Sequence, residues 1–198
     1  RSLAGYWLTM GQSPAVVDAD PQASITSLHD VDGPMGGVVV VGDAEMETIG
    51  VTIADLQTRH GVVVVDTAGF RNQTTIAACV AADVVVVPLK PAAEDMREAV
   101  AMLELVAELN GTPERRERPI KAVLVLTMVT PGTVIARQVR KELEKAGYPL
   151  LDAEVAQRVA FPELSMRGVA PSLVEPDGAA ARDIGRLAGE LNNLWRSV

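Results

Sequence analysis

Two short stretches place carboxylates at the ends of apolar runs. Ala15, Val16 and Val17 lead into Asp18-Ala19-Asp20-Pro21-Gln22, and the valines at 62–65 lead into Asp66-Thr67-Ala68-Gly69. The first run is too brief for a helix, and apolar runs that stop abruptly are the profile of parallel strands buried on both faces. Open α/β sheets gather their ligand-binding groups at the carboxyl ends of such strands. A strand-terminal Asp beside a Gly turn suits the holding of Mg²⁺ through water near phosphates. Pro21 cannot donate to a sheet ladder and biases Asp20 toward extended backbone, so the first strand ends there. Ser24 offers a side-chain cap to the segment that follows. Taken alone, Asp-x-Asp reads as well as an acidic turn without chemistry. The second stretch favours phosphate chemistry.

The rest of the chain supplies elements to position these groups. Its 198 residues suffice for one well-buried domain, and 48% are hydrophobic with 3% aromatic, so Val, Leu, Ile and Ala build the core. Helices are expected over 2–10, closed by Gly11, and over 48–60, 73–81, 92–109 and 131–146, with a last helix repeating Ile184, Leu187, Leu191, Leu194 and Trp195 on one side. Strands are expected over 83–88, 121–127 and 150–155, and a short one at 38–41. The acidic, Gly-rich segment 29–50 receives no role, and the charged run 112–119 reads as a solvated connection. Cys79 is the single cysteine, which excludes an internal disulfide framework; its apolar neighbours mark it as packing. His29 and His60 have no second ligand at metal spacing. No run reaches the roughly 18 apolar residues that span a bilayer. The net charge of −8 disfavours indiscriminate nucleic-acid binding by the whole surface, without excluding a local basic face.

Asp-Ala-Asp-Pro-Gln-Ala-Ser followed by Val-Val-Asp-Thr-Ala-Gly resembles the ParA/MinD ATPases, closest to the small ParA-like (ParF-like) partition proteins. Val84-Val85-Val86-Val87-Pro88 with Pro91-x-x-x-Asp95 looks like the family's strand and proline turn after the Walker B strand. The segments 157–161, 166–169 and 174–180 are similar to the small ParA proteins as well. The resemblance implies a three-layer α/β/α domain of P-loop NTPase type with a mostly parallel sheet, spanning 1–198 as a single ATPase domain. It implies ATP and Mg²⁺ as cofactors, Asp66 as the Walker B metal residue, Asp18 as the first switch aspartate near metal and nucleotide, Asp20 as the group that orients the attacking water, and Pro88 beside the nucleotide.

The family's deviant Walker A loop, of the type Lys-Gly-Gly-x-Gly-Lys-Thr-Thr, does not occur in these residues. The alignment places it just before Arg1, so the first strand and phosphate loop are expected ahead of the given sequence, and the chain as given is expected to bind and hydrolyse ATP poorly. The resemblance further implies an ATP-state homodimer that binds non-specific DNA, an adaptor of the ParB or ParG kind, and a cytoplasmic, nucleoid-associated location. Arg137, Arg140 and Lys141 fall at helical spacings that share one face, and Arg158 and Arg167 extend it as a DNA-binding candidate; a solvated helix paired with Glu142 and Glu144 is the competing reading. A membrane helix is not expected, because the terminal helix is mixed in charge. Two alternatives stand beside partition: positioning of a non-DNA cargo such as a microcompartment, and a non-catalytic interaction module without the phosphate loop. A dinucleotide-binding enzyme would need Gly-x-Gly-x-x-Gly after a first strand, which is absent.

Overall fold

Runs of valine too short for helices form parallel strands here. A computed structural model describes residues 1–69 and 72–196. It divides into two compact units, Arg1–Ala81 with Val159–Ala188, and Ala82–Arg158 with the chain from Gly189 onward.

In the first unit, β1 (Pro14–Ala19) lies between β2 (Val39–Gly42) and β3 (Val62–Thr67), all parallel. The central strand is buried at every position. Its alternation sends Ala15, Val17 and Ala19 to one face, where they pack against Ile49, Ile53 and Leu56 of α2 (Ile49–Gln57) and Ala78 of α3 (Gln73–Ala81). Val16 faces the other way, in a cluster with Ala4 of α1 (Ser2–Thr9), Ile25, Met35, Val38 and Ala170. Both faces of this sheet are therefore covered, and a run apolar on both sides is what such a strand requires. The acidic, Gly-rich segment to which no role was given contributes Met35, and Val38 at the start of its expected strand, to this core. After β2, Asp43 accepts hydrogen bonds from the hydroxyls of Thr48 (2.7 Å) and Thr52 (2.5 Å), anchoring the start of α2.

In the second unit, β5 (Lys121–Val129) lies between β4 (Val84–Leu89) and β6 (Leu150–Ala156), again parallel. Helices α4 (Ala93–Asn110) and α6 (Val134–Lys145) supply the crossovers. Near its start β6 departs from regular pairing, advancing from Leu150 to Glu154 while β5 advances from Leu124 to Leu126. The amides freed by this bulge are not left bare. Glu190 accepts from the N–H groups of Asp152 (2.9 Å) and Ala153 (2.7 Å), while Arg140 donates to the carbonyls of Leu151 (3.2 Å) and Asp152 (3.3 Å).

The charged run 112–119 is not the solvated connection expected from sequence. It holds a short helix, α5 (Pro113–Arg116), with Pro at its first position where no N–H is needed. Arg115 is buried, its guanidinium donating to the carbonyls of Ala82 and Arg118. Helix α6 starts later than expected, because Gly132 adopts a left-handed conformation (φ 80°) and turns the chain first. Two short helices, α7 (Ala160–Met166) and α8 (Pro171–Val174), return to the first unit, and α9 (Ala179–Trp195) closes the chain. Ile184, Leu187 and Leu191 of α9 are buried as its spacing predicts. Cys79 is buried, and burial pushes its thiol above the ordinary range. Among the described residues no helix is long and apolar enough to cross a membrane.

Candidate functional site

Parallel pairing of β1 with β3 puts Asp18 directly opposite Asp66. Both stand at the carboxyl ends of their strands because the apolar runs stop there, and Asp20 follows one residue beyond β1.

Asp18 is 2% exposed. Its Oδ2 accepts three hydrogen bonds, from the N–H groups of Ile25 (3.0 Å) and Thr26 (2.7 Å) and from the Thr26 hydroxyl (2.9 Å). Its Oδ1 is equally buried and has no hydrogen-bond partner among the described residues. An unmet buried polar atom costs about 1–3 kcal/mol, and this oxygen has the capacity to accept from a water or to meet a cation.

Asp20 is half-buried. Its Oδ1 accepts the Gln22 N–H at 2.9 Å and its carbonyl accepts the Ala23 N–H at 2.8 Å, closing a tight turn in which Ala23 is left-handed (φ 48°). Asp66 remains accessible to solvent, yet protein crowds its carboxyl enough for burial to be the largest influence on its titration. Burial raises its pKa above the ordinary carboxylate range; the charges of Asp18 and Asp20 add to this, against an opposing pull from the guanidinium of Arg1. Arg1 itself spans the site's rim, donating to the carbonyls of Ser165 (2.8 Å) and Ser24 (2.9 Å).

The Asp66 shift has a consequence for stability. The folded protein holds this proton more tightly than the unfolded chain, so stability falls as pH rises from the ordinary carboxylate pKa of roughly 3.9 through the raised one. Asp66→Asn is expected to raise the melting temperature of the metal-free protein near pH 7. The gain should vanish near pH 3, where both states are protonated; calorimetry at the two pH values measures it.

Among the described residues no three His, Cys, Asp or Glu side chains converge as a complete metal site. Mg²⁺ does not need one: it keeps several waters and is commonly bound by one or two carboxylates together with substrate phosphates. The orphaned Asp18 oxygen beside a crowded Asp66 fits that pattern.

The other sequence candidates lie apart from this cluster in the chain. Pro88 is exposed near the end of β4, in the second unit, where Asp95 accepts the Lys90 N–H (3.0 Å) and fixes the proline turn. On α6, Arg137 and Lys141 are exposed. Arg140 is not: besides the β6 carbonyls it meets Glu154 at 2.8 Å and Glu144 at 3.5 Å, so its charge is spent within the unit. Arg158 is half-buried in the second unit, and Arg167 is exposed in the first. Sequence reasoning singled out Ser24 as a capping side chain and missed Thr26, whose hydroxyl donates to Asp18. The available signal was a hydroxyl residue at the start of the helical turn (Thr26–Leu28) that follows the Asp-x-Asp-Pro strand end.

No family model matches the chain. It is 26% identical over 160 residues to the protein ParA of Rhizobium radiobacter, covering 80% of this chain and 71% of that one. It is 24% identical over 195 residues to the maintenance of carboxysome distribution protein A of Halothiobacillus neapolitanus, covering 96% and 85%. The chain is thus similar in sequence to ParA and to a carboxysome distribution protein over most of its length. The solved structures agree with the α/β fold. The MinD cell division protein of Aquifex aeolicus superposes with a TM-score of 0.76 at 13% identity, covering 97% of this chain and 89% of that one. The MinC:MinD complex from the same organism gives 0.72 at 12%, covering 97% and 88%. Cobyrinic acid a,c-diamide synthase of Mycobacterium smegmatis, with a bound ATP analogue and magnesium, gives 0.74 at 17%, covering 99% and 88%.

Proposed function

We propose that this protein is a positioning ATPase of the ParA kind, with residues 1–198 forming one ATPase domain. The observation that carries the reading is the pairing of Asp18 with Asp66 at the strand ends, with one Asp18 oxygen buried and unmet. Asp18 and Asp66 would hold Mg²⁺, and Pro88 would lie beside the nucleotide. When bound, Mg²⁺ would supply neutralisation of the charge on the phosphates. Asp20, aimed by the Gln22 N–H, orients the attacking water; phosphoryl transfer asks for positioning rather than a strong base. In this reading ATP closes a homodimer that binds DNA non-specifically through Arg137, Arg140, Lys141, Arg158 and Arg167, and a ParB- or ParG-like adaptor speeds hydrolysis. Arg140 would have to exchange its internal acceptors for phosphate. The location that follows is cytoplasmic and nucleoid-associated.

The cargo has two readings. Partition of DNA follows the likeness to ParA. Positioning of a protein cargo follows the likeness to the carboxysome distribution protein, which extends over more of this chain.

The test uses protein expressed from its complete coding sequence: ATP binding by a fluorescent analogue, and turnover with and without non-specific DNA across a salt series. Slow, Mg²⁺-dependent turnover that responds to DNA, with affinity for DNA falling steeply as salt rises, supports the reading. Absence of nucleotide binding would leave an interaction module with this fold. Turnover without any DNA binding would turn the reading toward a cargo engaged by protein contacts alone.

A further inference from the structure

Among the described residues, every donor on Asp18 Oδ2 comes from two adjacent positions. Two are backbone N–H groups, which any side chain at 25 and 26 would supply; the third is the Thr26 hydroxyl, at 2.9 Å. Three donors on one oxygen and none on the other break the symmetry of the carboxylate. A carboxylate free to turn about its χ2 bond would share donors between its oxygens. Here the hydroxyl joins the amides on Oδ2 and leaves Oδ1 as the oxygen without a partner among the described residues.

The turn that carries Thr26 is itself held in place. Arg1 donates to the Ser24 carbonyl at 2.9 Å. The Leu28 carbonyl lies against Gly168, so close that a side-chain carbon there would sit 2.0 Å from the oxygen. The hydroxyl therefore acts from a fixed platform.

We propose that Thr26 is a positioning residue which, by occupying Oδ2, presents Oδ1 of Asp18 to the divalent cation that accompanies the nucleotide. The inference rests on the reading of Asp18 as a metal-facing carboxylate. Groups that orient metal ligands from behind commonly contribute 10- to 100-fold in metal affinity or activity. Thr26→Val keeps the branched shape and both amides but deletes the hydroxyl. Thr26→Ser keeps the hydroxyl and deletes the methyl.

The test measures the anisotropy of a fluorescent ATP analogue on protein from the complete coding sequence, without Mg²⁺ and at saturating Mg²⁺. The gain in affinity on adding Mg²⁺ is the readout. Thr26→Val is expected to cut that gain about tenfold while leaving metal-free affinity within about twofold, and Thr26→Ser to restore it to within about twofold of wild type. Thr26→Ala, with the same expectation as Val, stands in where Val disturbs folding as judged by melting. A folded Val or Ala variant with the wild-type Mg²⁺ gain overturns the proposal, since a merely structural hydroxyl would shift melting alone. A wild type that binds the analogue with no Mg²⁺ gain, or does not bind it, overturns the metal–nucleotide reading and this inference with it.

Discussion

Asp20→Asn is expected to lower ATP turnover about 100-fold while ATP affinity stays within about threefold of wild type, the loss typical of a removed proton-handling or water-orienting group. The substitution is close to a pure charge test. Asp20 Oδ1 accepts the Gln22 N–H at 2.9 Å, and an amide oxygen accepts that bond equally well. The turn through Pro21 and Ala23 is closed by the Asp20 carbonyl, which the substitution does not touch. What disappears is the negative charge beyond the end of β1, where the attacking water would need an acceptor. Single-turnover hydrolysis with saturating Mg²⁺ separates this from a binding defect. Turnover within threefold of wild type would remove Asp20 from the chemistry and return the Asp-x-Asp segment to an acidic turn.

Gly168→Ala is expected to destabilise the protein by about 2–5 kcal/mol, combining left-handed strain with overpacking. Two features of the same residue add. Gly168 has φ 68°, a conformation that costs a residue with a side chain about 1–2 kcal/mol. A methyl there would also lie 2.0 Å from the Leu28 carbonyl oxygen and 3.2 Å from its carbon, both backbone atoms that cannot swing aside. Gly147→Ala is the matched control: its φ is 75°, but nothing lies within 4 Å of the added carbon. It should lose only the strain, about 1–2 kcal/mol. Urea unfolding of the three proteins measures the difference. An equal loss in both variants would mean that the 3₁₀ turn yields easily, and that the platform under Asp18 is soft.

The strands and the acidic pair were legible because both depend on local pattern. Val62 to Val65 can be little other than a strand, and an apolar run that stops at Asp66 must put that carboxylate near the strand's carboxyl end. Parallel pairing of two such strands does the rest. The Thr26 contact was not legible, since it requires knowing how far the chain turns back after Pro21. Arg140 illustrates the limit in another way. Helical spacing correctly placed it near Arg137 and Lys141 on α6, but spacing cannot say what a helix leans against. Val139 and Leu143 are buried, and Arg140, beside them, is drawn down to Glu154 and the β6 carbonyls. Arg115 hides among charged neighbours for the same reason: its burial is decided by two carbonyls, one of them more than thirty positions away in the chain, that need a donor.

The Arg140 and Glu190 contacts also bear on how copies of this protein can meet. β6 is a terminal strand of its sheet, and a terminal strand with open amides and carbonyls is a template for another chain to extend. Here the bulge bends the template, and the guanidinium and carboxylate occupy its sockets. Assembly by adding strands along this margin is thereby blocked, and a second copy that meets β6 meets side chains rather than an open backbone ladder.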